Sequence, residues 1–356
     1  MVKEELTRKE KLTLLGMTRS PACNDRELSE MLKERISTVT SIRRRLKERG
    51  FYFKAMLPSF LSMGCGILAA CYGGLSRGYV ADMGKAIDKG LFQNPESTSF
   101  LTIVGAFNWF EMAAYKNYSE AKSKGDVFWT HLNEIFPNIP GNPCVHGYYP
   151  LETMNIHNYF DYTQLLRTKF KLEEKWDKAP PPGKPPGRKL SSIEKLVFYG
   201  LVRHPDSPDK FVAEKLSVSR QAVARIRKLL AKEGFVTPLV VPDLEKLGFE
   251  ILVLFKFFLS PKNSKKAREA TVASLLKDIP QIFAASTELE CVMLAAYPSF
   301  SEFEKGSNRL IRKLDEGAHL EGAPEVQTFS LGDVKVLKNH DYIPLTRESL
   351  DLPLED

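Results

Sequence analysis

The sequence contains two copies of one pattern, separated by 184 residues. The segment ERGF at 48–51 aligns with KEGF at 232–235. After a slip of two residues, the Ala-Ala-Tyr at 113–115 falls on the Ala-Ala-Tyr at 295–297. A series of matches at a nearly constant offset indicates an internal duplication. Each half of the chain must therefore fold into the same kind of unit.

A proline-rich stretch separates the two halves. The segment KAPPPGKPPGRK at 178–189 contains five prolines and no side chain that could anchor a core. Such a composition forms an extended, semi-rigid spacer. A chain of 356 residues with this spacer near its middle is expected to divide into several domains.

Both halves show the same order of predicted elements, with three short helices followed by the order β-α-β-β-α-β. In the second half the predicted helices span 192–203, 208–216 and 219–233, and the later elements span 251–259, 264–277, 282–297, 299–314 and 326–331. In the first half the corresponding strands are predicted at 67–75, 100–107 and 110–115. This order is that of a ferredoxin-like sandwich. We therefore predict an α+β fold, a tandem repeat of a winged helix-turn-helix and a ferredoxin-like (βαββαβ) sandwich.

The predicted domains follow one another along the chain. They are a first helix-turn-helix domain, a first sandwich, a linker, a second helix-turn-helix domain and a second sandwich, at 1–56, 57–170, 171–190, 191–240 and 241–356. We call the two helix-turn-helix segments the first head and the second head.

The positive charge of the chain is concentrated in the two heads. Residues 1–54 hold 14 Lys or Arg against 8 Asp or Glu, and residues 187–236 hold 11 against 5. The whole chain has a formal net charge of +7, so the remainder is net acidic. Two basic regions in an acidic remainder are typical of a protein that meets a polyanion at two places. The alternative is that both are ordinary solvated helical faces.

The second head has the stronger DNA-binding pattern. The segment EKLSVSRQAVARIRKLLAKEGFV spans 214–236. Within it, Ser219 is predicted to cap the third helix of the head, and Gly234 is predicted to end that helix. The side chains predicted to point outward are Arg220, Gln221, Arg225, Lys228 and Lys232. The first three are expected at base edges in the major groove, and the two lysines at phosphates.

The first head is a weaker copy of the same motif. Its predicted outward residues are Ser37, Thr38, Ser41, Arg44 and Arg45. Asp25 is the predicted cap of its second helix. Arg35 stands where the second head has Ser219, so the cap of its third helix is either lost or moved to Ser37. We predict DNA contact here too; the alternative is that its arginines hold only the phosphate backbone.

The second half resembles the Lrp/AsnC (feast/famine) family of transcription regulators. The resemblance spans 195–331 and includes EGFVTPLVVPDLEKLGFEILVLFKFFL, with Gly248 at the glycine usual in the family. The first half, 6–160, is similar but more diverged. The resemblance implies DNA binding by the heads and dimerisation by the sandwiches. It also implies an amino-acid effector site near a turn between the second and third sandwich strands, where this chain has Gly105, Asn108, Thr287, Glu288 and Glu290.

Fusion of two such units predicts a single chain that acts as its own dimer. Two linked heads bind at a high effective concentration, and because their recognition helices differ, the predicted promoter site is asymmetric. Double-stranded DNA is the predicted partner. A further homodimer, a contact with the basal transcription machinery and a small-molecule effector stay open.

Other functional classes are less well supported by the sequence. We expect no cofactor, no metal site, no catalytic residues and no membrane segment, and hence a cytoplasmic protein that is not an enzyme. The competing hypotheses are an enzyme resembling siroheme decarboxylases, which share the tandem plan, and an architectural protein that binds DNA without sequence preference.

One stretch of the first half is rich in aromatic residues. It runs from Phe100 to Tyr162 and includes Trp109, Phe110, Tyr115, Phe128, Trp129, Tyr148, Tyr149 and Tyr159. Core packing accounts for most of these rings. A ligand or partner pocket in the first sandwich is the alternative.

Overall fold

The computed structural model describes residues 5–74, 98–135, 144–173, 188–316 and 319–353. Most of the predicted linker, including residues 178–187, lies outside the described residues. The predicted α+β fold class is confirmed.

The described elements of the first half begin with the three helices of the first head. These are α1 (Arg8–Arg19), α2 (Asp25–Leu32) and α3 (Ile36–Glu48). The strands β1 (Tyr52–Pro58), β2 (Ile67–Gly74), β3 (Ser99–Val104) and β4 (Asn108–Tyr115) follow. The half continues with α4 (Tyr118–Ile135), β5 (Cys144–Pro150), β6 (Asn155–Tyr159) and α5 (Thr163–Phe170).

The second half repeats this order. Its head consists of α6 (Ser192–Arg203), α7 (Asp209–Leu216) and α8 (Arg220–Lys232). Then come β7 (Val236–Pro242), β8 (Ile251–Phe258), α9 (Lys265–Asp278), β9 (Gln281–Ser286) and β10 (Glu290–Tyr297). The last elements are α10 (Phe300–Glu316), β11 (Glu325–Ser330), β12 (Lys335–Asn339) and α11 (Ile343–Ser349). The helices and strands predicted for this half are found within one to two residues of their predicted bounds.

Each sandwich contains one five-stranded antiparallel sheet. The strand orders are β5-β2-β4-β3-β12 and β11-β8-β10-β9-β6, while β1 and β7 form a separate two-stranded sheet. Without β12 and β6, both orders are 4-1-3-2 in terms of the predicted β-α-β-β-α-β motif, as in a ferredoxin-like sandwich.

The fifth strand of each sheet comes from the opposite half of the sequence. Strand β12, at the end of the second half, pairs with β3, and β6, at the end of the first half, pairs with β9. Neither β6 nor β12 was predicted from the sequence. Both are only five residues long, and each becomes a strand because an unpaired sheet edge lies beside it.

Grouping by contact gives two compact units. Unit 1 consists of 1–54, 154–181 and 238–332, and unit 2 consists of 55–153, 182–237 and 333–356. Unit 1 thus holds the first head with the second sandwich, and unit 2 holds the second head with the first sandwich. The five consecutive domains predicted from the sequence are a different division, and they stay a prediction.

The helix caps of the heads confirm one predicted cap and correct another. Ser219 caps α8, and its side chain accepts a hydrogen bond from the Ala222 backbone N–H. Asp25 is not the cap of α2, because the Asn24 side chain accepts the bond from the Glu27 N–H. At the start of α3 the cap is lost, since Arg35 makes no side-chain cap bond.

This difference between the heads gives a matched test. We expect Ser219→Ala to lower the free energy of unfolding of the second head by about 1 kcal/mol, because a helix N–H loses its acceptor. Arg35→Ala at the equivalent position of the first head is the control and is expected to change little. Urea unfolding, with amide hydrogen exchange in the first turns of α3 and α8, measures both effects. Equal effects at the two positions would contradict the capping difference.

Candidate functional site

The outer surface of α8 carries the five residues predicted to contact DNA. Arg220, Gln221, Arg225, Lys228 and Lys232 are all exposed. Within the described part of the chain, none of the five forms an ion pair or a side-chain hydrogen bond. Four cations on 13 residues of helix are therefore available to an outside anion.

The matching surface of α3 is less basic. At the equivalent five positions it presents Ile36, Ser37, Ser41, Arg44 and Glu48. Arg44 is 75% exposed and lies 3.9 Å from the carboxylate of Glu48. The predicted residue Thr38 is half-buried. At these five positions the first head thus offers one cation, already next to a carboxylate, where the second head offers four.

Arg45, another predicted DNA contact, is bound within the first head. Its Nε lies 2.9 Å from a carboxylate oxygen of Glu10, whose side chain is only 4% exposed. Arg49 lies 3.3 Å from the same oxygen. Burial alone would raise the pKa of Glu10, but hydrogen bonds from Thr7 and Arg45 lower it below its ordinary value.

In the second head, the glutamate equivalent to Glu10 is bound by an arginine that lies outside α8. Glu194 occupies the place of Glu10, and Arg188, just before the head, binds it at 2.9 Å. Hydrogen bonds from Arg188 and from the Ser191 backbone lower the pKa of Glu194 to about 2. Leu229 stands where the first head has Arg45. The four exposed cations of α8, Arg220, Arg225, Lys228 and Lys232, form no ion pair within the described residues of the head.

In both heads, one arginine of the third helix binds groups at and just before the start of the second helix. Arg43 binds Asp25 and the Cys23 carbonyl, and Arg227 binds Asp209 at 2.7 Å and the Ser207 carbonyl. These pairs are separated by the same 184 residues as the sequence repeat. Their side chains hold α3 on α2 and α8 on α7.

The turns predicted as an effector site are compact. In unit 2 the Gly105 N–H donates to the Asn108 carbonyl at 2.8 Å. In unit 1 the Thr287 hydroxyl accepts a bond from the Glu290 N–H at 3.1 Å. Glu288 lies 3.7 Å from Lys265, and Glu290 lies 3.8 Å from Lys256. Their role as an effector site stays a prediction.

An open pocket lies next to each sandwich. In unit 2 a cavity of about 640 Å³ lies along α4, next to Tyr118, Lys122 and Asp126. In unit 1 a cavity of about 630 Å³ lies between α5, the end of α9 and the start of α10. Among the described side chains, no group of three or more His, Cys, Asp or Glu is arranged to hold a metal ion. No described helix has both the length and the apolar composition needed to cross a bilayer.

The chain is similar over nearly its whole length to the crystal structure of the siroheme decarboxylase NirDL. The TM-score is 0.53 and 10% of the aligned residues are identical, with 96% of this chain and 98% of that chain covered. The structure of NirDL in co-complex with an iron-uroporphyrin III analogue matches with a TM-score of 0.52, at the same identity and coverage. The structure of E. coli AsnC matches 40% of this chain and 92% of its own, with 13% identity and a TM-score of 0.31. No family model and no curated protein matches the sequence.

These comparisons correct one expectation. The sequence was interpreted as that of a protein that is not an enzyme, but the solved structures that match it at full length are those of an enzyme. The fold itself is therefore no argument against catalysis.

The binding of Glu10 by Arg45 yields a second prediction. Arg45→Leu, which introduces the residue found in the second head, is expected to destabilise the first head by about 1–3 kcal/mol at pH 7, because a buried carboxylate loses a charged donor. The pKa of Glu10 is lowered in the folded state, so this contribution is present at pH 7 and is lost as the pH falls below the ordinary value of 4.5.

Urea unfolding at pH 7 and at pH 4, with hydrogen exchange in α1 and α3, measures this change. The control is Arg44→Ala on the same helix, where we expect a change within about 0.5 kcal/mol. A destabilisation by Arg45→Leu that is as large at pH 4 as at pH 7 would contradict the assigned role of Glu10.

Proposed function

We propose that this protein is a DNA-binding transcription regulator in which one chain carries two unequal heads. The second head supplies most of the affinity and the sequence readout, through Arg220, Gln221 and Arg225. Lys228 and Lys232 bind phosphates. The observation that carries the proposal is the surface of α8, where five exposed polar side chains have no partner among the described residues.

Two physical arguments support this assignment. Exposed arginines near the start of a recognition helix can donate two hydrogen bonds to guanine, and glutamine can do the same with adenine. In the first head two arginines of α3, Arg43 and Arg45, are used in local ion pairs. In the second head Arg227 forms the pair equivalent to that of Arg43, but the role of Arg45 belongs to Arg188, which lies outside α8.

The first head has a lesser role in this proposal. Ser37, Thr38, Ser41 and Arg44 contact the second half-site, with weak base preference. The chain then binds as a pseudo-dimer to an asymmetric promoter site. A homodimer and a contact with the basal transcription machinery stay predictions from the sequence.

Selection of bound duplexes from a random pool tests the proposal. We expect a long asymmetric consensus from the unchanged chain. Arg225→Ala is expected to weaken binding by about 1–3 kcal/mol and to relax one half-site, since a base contact is lost. Lys228→Ala is expected to weaken binding to all sequences alike and to lower the salt-dependence slope by about 1.

Ser41→Ala, at the position of α3 that matches Arg225, is the paired control. It should leave the half-site of the second head unchanged and affect only the other half. If no consensus emerges and every variant weakens binding uniformly, the protein binds DNA architecturally and the specific-regulator proposal is wrong.

A tetrapyrrole-binding enzyme is the second candidate function, because the full-length structural similarity is to siroheme decarboxylase. The two sandwich cavities, of about 640 and 630 Å³, are the places where such a ligand would bind. This candidate predicts a shifted Soret absorbance when iron-uroporphyrin III is titrated into the protein. An unchanged spectrum at saturating protein, with full DNA binding retained, would exclude it.

A further inference from the structure

The helix-covered side of the sheet in unit 2 carries a row of polar side chains across all five strands. His146 of β5 pairs with Cys71 of β2, and Cys71 pairs with Glu111 of β4. Glu111 pairs with Thr102 of β3, which pairs with Lys338 of β12. Directly paired residues of neighbouring strands point to the same side of a sheet. We call these five residues the polar row.

Unit 1 provides the comparison, because the duplication gives it the same sheet. The corresponding row consists of Val326, Phe255, Met293, Ala284 and Asn158. Its single polar member is fully hydrogen-bonded, since the Asn158 amide donates to Gln281 and its oxygen accepts from the Asp161 N–H. Apart from the exposed Val326, the row of unit 1 is thus ordinary core, and the polar row stands in its place in unit 2.

The central strand of unit 2 also has smaller side chains. Ala69, Cys71 and Gly73 stand where unit 1 has Val253, Phe255 and Phe257. In unit 1 these large side chains belong to the hydrophobic core beneath α9 and α10. In unit 2 Glu111, at the middle of the sheet, is half-buried, while Cys71, Thr102 and Lys338 are buried.

The polar row has unused hydrogen-bonding capacity. The Thr102 hydroxyl, in a residue only 1% exposed, has no hydrogen-bond partner in the part of the chain that the structure describes. Glu111 makes no hydrogen bond and no ion pair within the described residues. Lys338, 7% exposed, donates one hydrogen bond to the Ser99 carbonyl at 3.2 Å, which leaves two of its three N–H groups free. Buried polar groups in proteins are normally bonded, so the Thr102 hydroxyl and the unused donors of Lys338, next to the half-buried Glu111, indicate a ligand.

Aromatic rings surround the exposed end of the row. The Tyr148 ring stacks on His146 with centroids 5.6 Å apart, and the Tyr118 ring meets Tyr148 edge-on at 5.2 Å. Trp109 is partly buried against the same cluster. Tyr118 also lines the 640 Å³ cavity along α4. A ligand entering past His146 would therefore pass between rings before it reaches Glu111 and Lys338.

We propose that the polar row is the wall of a binding site for a small aromatic carboxylic acid. The carboxylate accepts hydrogen bonds from Lys338 and Thr102, and the ring lies along the row over Glu111 toward Cys71, beside Trp109. The site is in the first sandwich and does not depend on DNA binding by the heads.

The ionisation of the row agrees with an anionic ligand. Burial raises the pKa of Glu111 to about 7, although the nearby charge of Lys338 opposes this. Below that pH Glu111 is neutral and the row carries the positive charge of Lys338. The other titratable groups around it are Cys71, Tyr115 and His146, with Asp341 near Lys338 and Lys122 near His146. An anion should therefore bind better at pH 6 than at pH 8.

Calorimetric titration of the full chain with benzoate tests the proposal. Benzoate is an anion at both pH 6 and pH 8, so a change in affinity reports on the protein. We expect binding at pH 6, with affinity about tenfold lower at pH 8 because Glu111 loses its proton with a pKa of about 7. Benzamide, a neutral molecule of the same shape, should bind at least about tenfold more weakly than benzoate at pH 6.

Four variants locate the site. Glu111→Gln should bind benzoate with the same affinity at pH 6 and pH 8, since the titrating group is gone. Lys338→Met and Cys71→Phe should abolish binding, the first by removing the anchor and the second by filling the space with the residue of unit 1. Lys335→Met, an exposed lysine on the same strand, is the control and should bind as the unchanged chain does. If Lys338→Met fails to fold, the proposal is still tested by comparing the pH dependence of benzoate binding in the unchanged chain with that in Glu111→Gln.

Several results would overturn the proposal. The first is the absence of a heat signal with benzoate at millimolar concentration. The second is equal affinity for benzoate and benzamide, and the third is unchanged benzoate affinity in a folded Cys71→Phe variant. Tighter binding of phenylalanine than of benzoate would assign the site to a zwitterion instead. Tight binding of iron-uroporphyrin III that Cys71→Phe abolishes, without benzoate binding, would assign the site to a tetrapyrrole.

Discussion

The pairing of β12 with β3 and of β6 with β9 is the interaction on which the rest of the structure depends. Each strand completes a sheet whose other four strands come from the opposite half of the sequence. Because each exchanged strand continues into a helix, it also brings α11 to α6 and α5 to α1. Lys195 donates to the Leu350 carbonyl in unit 2, and Lys11 lies 5.9 Å over the Phe170 ring in unit 1. Neither half could form these contacts alone.

The repeated order of elements makes each half a reference for the other, and the two differ at opposite places. In the heads, the second has the more basic surface, while in the first Arg45 is an internal ion-pair partner. In the sandwiches, the sheet of unit 1 has an apolar core, while the sheet of unit 2 has polar side chains at Glu111 and Lys338. Because unit 2 holds the second head and the first sandwich, the basic surface of α8 and the polar row belong to the same unit.

Strand β12 connects the polar row of the first sandwich to the second head. Lys338 lies in β12, a buried position at the edge of the sheet, and the chain turns at His340 into α11. His340 is buried and has a left-handed backbone with φ of 56°. Burial lowers the pKa of its imidazole to about 3, so the ring is neutral at physiological pH. A group that contacts Lys338 therefore touches the same short segment that packs against α6 of the second head.

The sequence by itself determined the repeat, the two heads and the β-α-β-β-α-β order, because these depend on local periodicity, caps and turn residues such as Ser219 and Gly234. It also singled out the α8 residues, whose exposure follows from helical spacing. It could not give β6 or β12, since five-residue strands with few apolar residues form only where a sheet edge is available. Nor could it show that Arg45 is bound to Glu10, 35 residues away, or that His146, Cys71, Glu111, Thr102 and Lys338 share one row. Those relations depend on strand register and on strand exchange, which are fixed only when distant segments pair in the tertiary structure.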